Sequence, residues 1–409
     1  MNKFALVPAI ALLCVGSAQL AARPYPGISG LAATADSALT AGTNPAGITR
    51  FDDKAWDVEV IWFTSESEWE SSFTEENITY NSKDSGDTVI PRIAYVHPIN
   101  DKLAASFTFL GTGFSDDLGE DWPGRYFIIE YESIYVSAYP SLAYRINDQW
   151  SVAGSVAITY TSFEQERAIR NVFDSGFADG RAELEADSTE VGFGFSTLYE
   201  HSDKTRFGLN YQSEIEPSRD ADIDYSGLGP RTELAMGAAG IFDADVTLES
   251  TSPQSAVFGM YHEFDNNHAI TLDLAWVDFS EFSLSEFYYN GNSLAETQTE
   301  YDDIYAAAVS YTFPVSSRWM LGIGGAITSD MVDDDERTMT LRIDEIWTLG
   351  VAAEFQWTED RSIYASAAYI GMGDAPVETA EIPGLGSLQG EFDSRDIWQF
   401  QIGMSFGAL

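Results

Sequence analysis

Between residues 56 and 406 the chain repeats one pattern: bulky apolar side chains alternate with small or polar ones over about ten residues, and a turn follows. Residues 150–161, WSVAGSVAITYT, show it plainly. Trp150, Val152, Gly154, Val156, Ile158 and Tyr160 fall on one side, and Ser151, Ala153, Ser155, Ala157, Thr159 and Thr161 on the other. Period two means a strand with one oily face and one small or polar face. The pattern predicts 14 strands, near 56–64, 90–98, 103–112, 133–146, 150–163, 189–200, 205–216, 255–264, 268–282, 303–313, 318–328, 346–357, 362–372 and 396–406. Their connections alternate strictly. Short polar turns stand at 98–101, 147–149, 201–204, 265–267, 314–317 and 358–361, and between them lie long segments at 65–89, 113–132, 164–188, 217–254, 283–302, 329–345 and 373–395. An even strand number with short turns at one end and long loops at the other is the pattern of an outer-membrane barrel. A soluble sandwich has no reason to produce it. After the N-terminus no run approaches the roughly 18 apolar residues of a membrane helix, so spanning requires a closed barrel. The expected fold class is all-β: a 14-stranded antiparallel transmembrane β-barrel over residues 56–409.

The N-terminus reads MNKFALVPAIALLCVGSAQLAA, with Lys3, an apolar run from Phe4 to Val15 and a small-residue site at Gly16-Ser17-Ala18. It is a secretory signal peptide over residues 1–18. Cys14, the only cysteine, lies inside it, so the mature chain carries no disulfide or thiol chemistry. A lipoprotein reading of Cys14 is weakened by Leu13, where a small residue would be expected. The formal charge of −44 repels nucleic acid. The carboxylates gather in the long loops, as at Glu66, Glu68, Glu70 and 333–336. They make either a solvated outer surface or a site for divalent cations bridging to lipopolysaccharide; the spacing matches no defined calcium loop, and no metal or cofactor is assigned.

Residues 19–55 do not alternate. They are small and turn-rich, and include Asn44-Pro45-Ala46-Gly47, by itself only a turn signal. Such a segment either dangles beside a barrel or folds inside its lumen as a plug, and its small residues favour the lumen.

Several stretches taken together resemble one family. TNPAG at 43–47, DWPGRY at 121–126, PSLAYRIND at 140–148, TRFGLNYQS at 205–213 and WVDFSEF at 276–282 are similar, in order and spacing, to the FadL/TodX outer-membrane transporters of Gram-negative bacteria. The resemblance implies a 14-stranded barrel, an N-terminal plug, and passive uptake of hydrophobic molecules, chiefly long-chain fatty acids, with aromatic hydrocarbons as the alternative. It also implies a route: capture by outer loops, a pocket inside the barrel, plug movement, and exit through the wall near a kink in the third strand.

The residues fit this route to different degrees. Ile169, Val172, Phe173 and Phe177 stand at helical spacing in one long loop, and Leu234, Met236, Ile241 and Phe242 in another. Exposed apolar residues mark binding; the competing reading is that they pack the two loops together. Gly111 and Gly113 near the outer end of the third strand fit a kink or simple fraying. For a carboxylate cargo, the candidate cations are Arg125 in DWPGRY and Arg167 beyond the fifth strand, where family members often carry a basic residue; both have carboxylates nearby to pair with.

Catalysis is not expected. The four histidines, His97, His201, His262 and His268, lie by the short turns, and no GxSxG, CxxC or HExxH motif occurs. A general porin or an adhesive barrel remains as an alternative. Expected partners are a hydrophobic small molecule, outer-membrane lipid and lipopolysaccharide, and the barrel assembly machinery, which would read Phe406 as the terminal aromatic.

Overall fold

The computed structural model describes residues 29–73, 79–174, 176–216, 218–289, 292–293, 301–333, 337, 345–373, 375–378 and 386–407. The signal peptide and residues 19–28 of the expected plug lie outside them. The barrel strands are β1 (Ala55–Phe73), β2 (Thr79–Asn100), β3 (Leu103–Asp117), β4 (Glu130–Arg145), β5 (Trp150–Ile169), β6 (Gly180–Ser202), β7 (Thr205–Gln212), β8 (Ser255–Glu263), β9 (Ala269–Val277), β10 (Ile304–Pro314), β11 (Trp319–Thr328), β12 (Trp347–Thr358), β13 (Arg361–Gly371) and β14 (Leu388–Phe406). Each pairs antiparallel with its successor, and β14 returns to β1 from Trp56↔Phe406 to Phe73↔Leu388, closing a 14-strand barrel. Closure removes the unpaired edges that would be intolerable in lipid.

The faces follow the parity of the sequence. On β5, Trp150 and Ile158 are 43% and 42% exposed, whereas Ser151 and Thr159 are 3% and 8% exposed. Aromatics ring the outer surface near both ends. Toward the short turns, Trp56 stacks on Tyr95 and Trp150 on Tyr199 at 4.1 and 4.7 Å. Toward the loops, Trp347, Tyr369, Trp398, Phe400 and Trp62 form a row with neighbouring ring centroids 5.1 to 6.2 Å apart. Amphipathic rings sit at both membrane–water boundaries, so the two rows bracket the apolar band.

The short turns close through asparagine side chains. Asn100 Oδ1 accepts from the backbone N–H of Lys102 and Leu103, and Asn147 Oδ1 from Gln149 and Trp150. This is the Asx device that makes asparagine a turn former. Across the turn end, Lys204 Nζ lies 2.7 Å from Asp265 Oδ1, and that hydrogen bond holds the exposed Asp265 carboxyl below its ordinary range.

The long segments differ from expectation. Much of 65–89 and 164–188 is strand, because β1, β2, β5 and β6 continue beyond the apolar band. There the outward face meets water instead of lipid and carries carboxylates such as Glu66, Glu68, Glu183 and Glu185, while Trp69, Phe73, Leu184 and Ala186 stay buried, so the apolar outward pattern ends while the hydrogen-bonded ladder persists. Ile169 therefore ends a strand, and Val172 and Phe173 lie in the turn after it; the helix is at Pro230–Ala238 instead. Segment 218–226 pairs with the outer part of β6 from Arg181↔Ser226 to Ala186↔Ala221, and with 246–251, extending the wall outward.

Candidate functional site

The barrel interior has two levels. At the turn end it holds residues 29–54, among which Ala33, Leu39, Ala46 and Ile48 are at most 1% exposed. The segment contains a short helix, Thr40–Thr43, and a 3-10 helix, Pro45–Arg50. It bonds to inward side chains around much of the ring. Ser29 Oγ meets Thr271 on β9 and Ser310 on β10 at 2.6 and 2.7 Å. The N–H groups of Gly30 and Leu31 donate to Asp273 on β9, and that of Ala38 donates to Asp57 on β1. Thr49 bonds to Ser151 on β5, and Arg206 on β7 donates to the carbonyls of Ala33 and Thr34. Small residues make this possible, since Ala55, Ala94, Ala104, Ala143 and Ala153 of the wall pack directly on the segment.

Asn44 anchors the middle. Its Nδ2 donates to the carbonyls of Ala32 and Thr197 at 2.5 and 3.0 Å, and its Oδ1 accepts from Ala46 N–H, capping the 3-10 helix that Pro45 begins. Ala46 N–H also donates to Ser196 on β6. Gly47 is obligatory, since a Cβ there would stand 2.6 Å from that of Ala35. Asn44→Ala leaves buried carbonyls unpaired, at a cost of about 1–3 kcal/mol. Hydrogen exchange within 29–54 is expected to rise while the β5–β6 ladder stays protected; unchanged exchange would refute the anchor.

Two glycines on the wall let the segment approach. Gly208 on β7 stands opposite Gly259 on β8, and Gly259 opposite Asp273 on β9. A Cβ on Gly208 would lie 1.7 Å from the Ala32 carbonyl oxygen, and one on Gly259 2.9 Å from the Ala32 Cβ.

The loop end of the interior is apolar. Ile61, Phe63 and Trp69 of β1, Ile90 of β2 and Leu110 of β3 join Trp122, Phe279, Tyr301, Ile304, Ile370 and Ile397 in one buried cluster. Phe279 and Phe282 stack at 4.4 Å, and Tyr301 meets both edge-on. The β3–β6 side adds hydroxyls, with Ser137 bonded to Thr159 at 2.9 Å and Thr161 to Ser188 at 3.0 Å. Between the levels Arg92 of β2 pairs with the buried Glu59 of β1, which also accepts from Tyr364 and Gln401. Reading by sequence missed this pair; the signal was an arginine at an inward-facing parity of a strand.

Among the described residues the β4–β5 ladder skips Tyr139 and Pro140, and the β2–β3 ladder stops short of the outer end. β3 pairs with β4 without a register shift, so Gly111 and Gly113 make no bulge there. The β2–β3 ladder, however, ends at Arg92↔Leu110, one residue before Gly111, where Pro91 has no N–H to donate.

The loop candidates separate. Arg125 is committed: its Nε lies 3.2 Å from Asp179, its Nη2 donates to the Tyr126 hydroxyl, and that hydroxyl donates to Asp179. Burial, with the Asp179 carboxylate beside it, pushes Tyr126 up, so it stays a neutral donor. Arg167 lies within β5, at inward parity and exposed, while adjacent Glu166 is taken by Arg181 at 2.6 Å. The two apolar loops are joined by polar bonds. Asp174 Oδ2 accepts from the N–H of Arg231 and Thr232 at the start of helix Pro230–Ala238, and Asn171 Oδ1 from Gly229. Val172, Phe173, Leu234 and Phe242 thus stay exposed, with Leu234 at 74%, while Ile169 and Met236 are half-buried.

The family described as outer membrane protein transport protein (OMPP1/FadL/TodX) matches residues 17–403. The chain belongs to this family. Its place is the bacterial outer membrane, with its short turns toward the periplasm. This OMPP1/FadL/TodX member is 24% identical over 375 residues to the long-chain fatty acid transport protein of Escherichia coli O6:H1, covering 84% of the chain and 83% of that relative. It superposes on the crystal structure of a Pseudomonas aeruginosa FadL homologue with a TM-score of 0.81 at 17% identity, over 95% of this chain and 98% of that one. For the toluene transporter TodX of P. putida the TM-score is 0.67 at 13% identity, over 95% and 99%. At these identities the two structures speak for the fold.

Proposed function

We propose that the protein passes hydrophobic small molecules, long-chain fatty acids first, through the outer membrane without chemical conversion. The observation that carries this reading is the two-level interior: a buried apolar cluster under the loops and a hydrogen-bonded segment at the periplasmic end. A polar-solute porin has no use for buried Phe279, Phe282 and Ile304 in its lumen, whereas an alkyl chain gains about 0.8 kcal/mol for each methylene buried there. The exposed Val172, Phe173, Leu234 and Phe242, with Ile169 and Met236 behind them, serve as the capture surface. Arg167, exposed near the outer end of β5, serves as an outer contact for a charged end, and Arg125 joins it only by exchanging Asp179 for the cargo. Segment 29–54 acts as the plug, pivoting around Asn44, Pro45, Ala46 and Gly47. Exit is lateral, between β2 and β3 beside Gly111 and Gly113, where the ladder ends.

The name of the E. coli relative supports fatty acid as cargo, and that of TodX supports an aromatic hydrocarbon. The stacked Phe279 and Phe282 with Tyr301 edge-on favour the second for small rings, since aromatics prefer such pairs. Native mass spectrometry of the purified protein with oleic acid and, separately, toluene tests the reading. Retention of either is expected. Retention of neither, together with a large steady single-channel conductance, would overturn it in favour of a porin.

A further inference from the structure

All four histidines of the chain stand at the turn end, at the parity of outward-facing residues such as Ile93, Phe195, Phe258 and Leu274. Three of them, His201, His262 and His268, fall in the one sector from β6 to β10. The outward positions around them are aromatic. Tyr199 stacks on Phe207 and Phe207 on Phe258, with ring centroids 6.4 and 6.3 Å apart, and His268 lies against Tyr311 and Phe313 at 5.5 and 6.1 Å. Phe264, 41% exposed, stands edge-on to His262 at 4.8 Å, and its N–H donates to the His268 carbonyl at 2.8 Å. Each of these two imidazoles spends one nitrogen within the protein. His262 Nδ1 meets the Thr205 hydroxyl at 2.9 Å, and His268 Nδ1 meets the Tyr311 phenol. Among the described residues Nε2 of neither ring has a partner. With a hydroxyl donating to Nδ1, the ring proton sits on Nε2 and makes that nitrogen a donor.

Most acids of the sector are already used. Lys204 holds Asp265, the Tyr261 phenol donates to Glu263, and Arg50 pairs with Glu200, which leaves Asp203 in the β6–β7 turn. Arg318, exposed in the adjoining β10–β11 turn, pairs with no carboxylate among the described residues. In a chain of charge −44, outward donors without an acid attached are uncommon. These stand where aromatic rings mark the membrane–water boundary, which is the level of lipid head groups.

We infer that this sector binds the phosphate of a glycerophospholipid in the periplasmic leaflet. His262 and His268 donate to it through Nε2, and Phe264, Phe207 and Phe258 take the first part of the acyl chains. An anionic acceptor strengthens such bonds, and it is the head-group phosphate that lies at this depth. The site is independent of what the barrel carries; it fixes the β6–β10 side of the wall to the inner leaflet.

The test uses the mature protein in dodecyl maltoside, a host without phosphate, and reads diethyl pyrocarbonate labelling of each histidine by peptide mass spectrometry. Dioleoylphosphatidylglycerol should slow labelling of His262 and His268 about 10-fold, the worth of a hydrogen bond to a charged group, and dioleoylglycerol, with the same chains and no phosphate, by no more than about 2-fold. His97, outside the sector, should react alike with both lipids. Native mass spectrometry should show phosphatidylglycerol retained by wild type and retained about 10-fold less by the double variant His262→Phe, His268→Phe, which keeps the rings and loses the donors. Heat-modifiable migration reports whether that variant is folded, and the labelling needs no variant at all. Equal protection by the two lipids, or protection of His97 to the same degree, would overturn the site. So would undiminished retention by the folded double variant. Protection by inorganic phosphate alone would reassign the site to the free ion and overturn the lipid.

Discussion

Gly208→Val should open the channel. The valine Cβ would fall 1.7 Å from the Ala32 carbonyl oxygen, which is backbone and has no rotamer to escape by. Ala32 is itself held, because its carbonyl accepts from Asn44 and the preceding N–H groups of Gly30 and Leu31 donate to Asp273. Overpacking of this kind costs about 1–3 kcal/mol when neighbours can shift. Here relief requires residues 30–33 to leave the wall, and several of the bonds that hold the segment go with them. Planar bilayer recordings should show a closed or flickering wild type and a steady, larger conductance for Gly208→Val, with heat-modifiable migration on gels reporting an intact barrel. A variant that folds and conducts like wild type would mean that the approach of Ala32 to β7 does not hold the segment in place.

The second large effect concerns the outer face. Val156 lies on the apolar side of β5, paired with Phe193, which is 62% exposed, and well inside the boundary marked by Trp150 and Tyr199. An arginine on a lipid-facing site near mid-membrane costs about 2–4 kcal/mol, falling to about 0–1 kcal/mol near the interface. Val156→Arg should therefore lower folding stability in lipid vesicles by that larger amount, as read from denaturant titration, and Trp150→Arg by much less. Equal losses would contradict the depth assigned to β5.

How much of this was legible in the sequence depended on whether two environments met across a strand. On β5, lipid on one side and the filled lumen on the other imposed period two, and Trp150 to Thr161 could be read residue by residue. From Ser65 to Phe73 β1 is still a strand with Trp69, Ser71 and Phe73 buried inward, but its outward side meets water and carries Glu66, Glu68 and Glu70, which read as a loop. The alternation reports the membrane, and the ladder extends past it. The site was less legible because charge pairing is not written locally. Arg125 was a candidate cation with carboxylates nearby in sequence, and the one that holds it, Asp179, stands 54 positions away. Arg92 stood in a strand interrupted by Pro91 and drew no notice until Glu59 was placed beside it. β3 pairs with β4 without a bulge at Gly111 and Gly113, and the β2–β3 ladder ends just before Gly111, a feature of the neighbouring strand as much as of β3.

Because every barrel strand presents lipid and lumen at alternate positions, the chain carries two interleaved texts that can be edited independently. A combinatorial library confined to inward positions at the loop end, such as Phe63, Ile90, Leu110, Tyr135 and Ile370, would vary the apolar interior under the loops while leaving the lipid-facing side chains untouched. In such a scaffold cargo preference and assembly are separate design variables, and a change of diet need not pass through a misfolded intermediate generation.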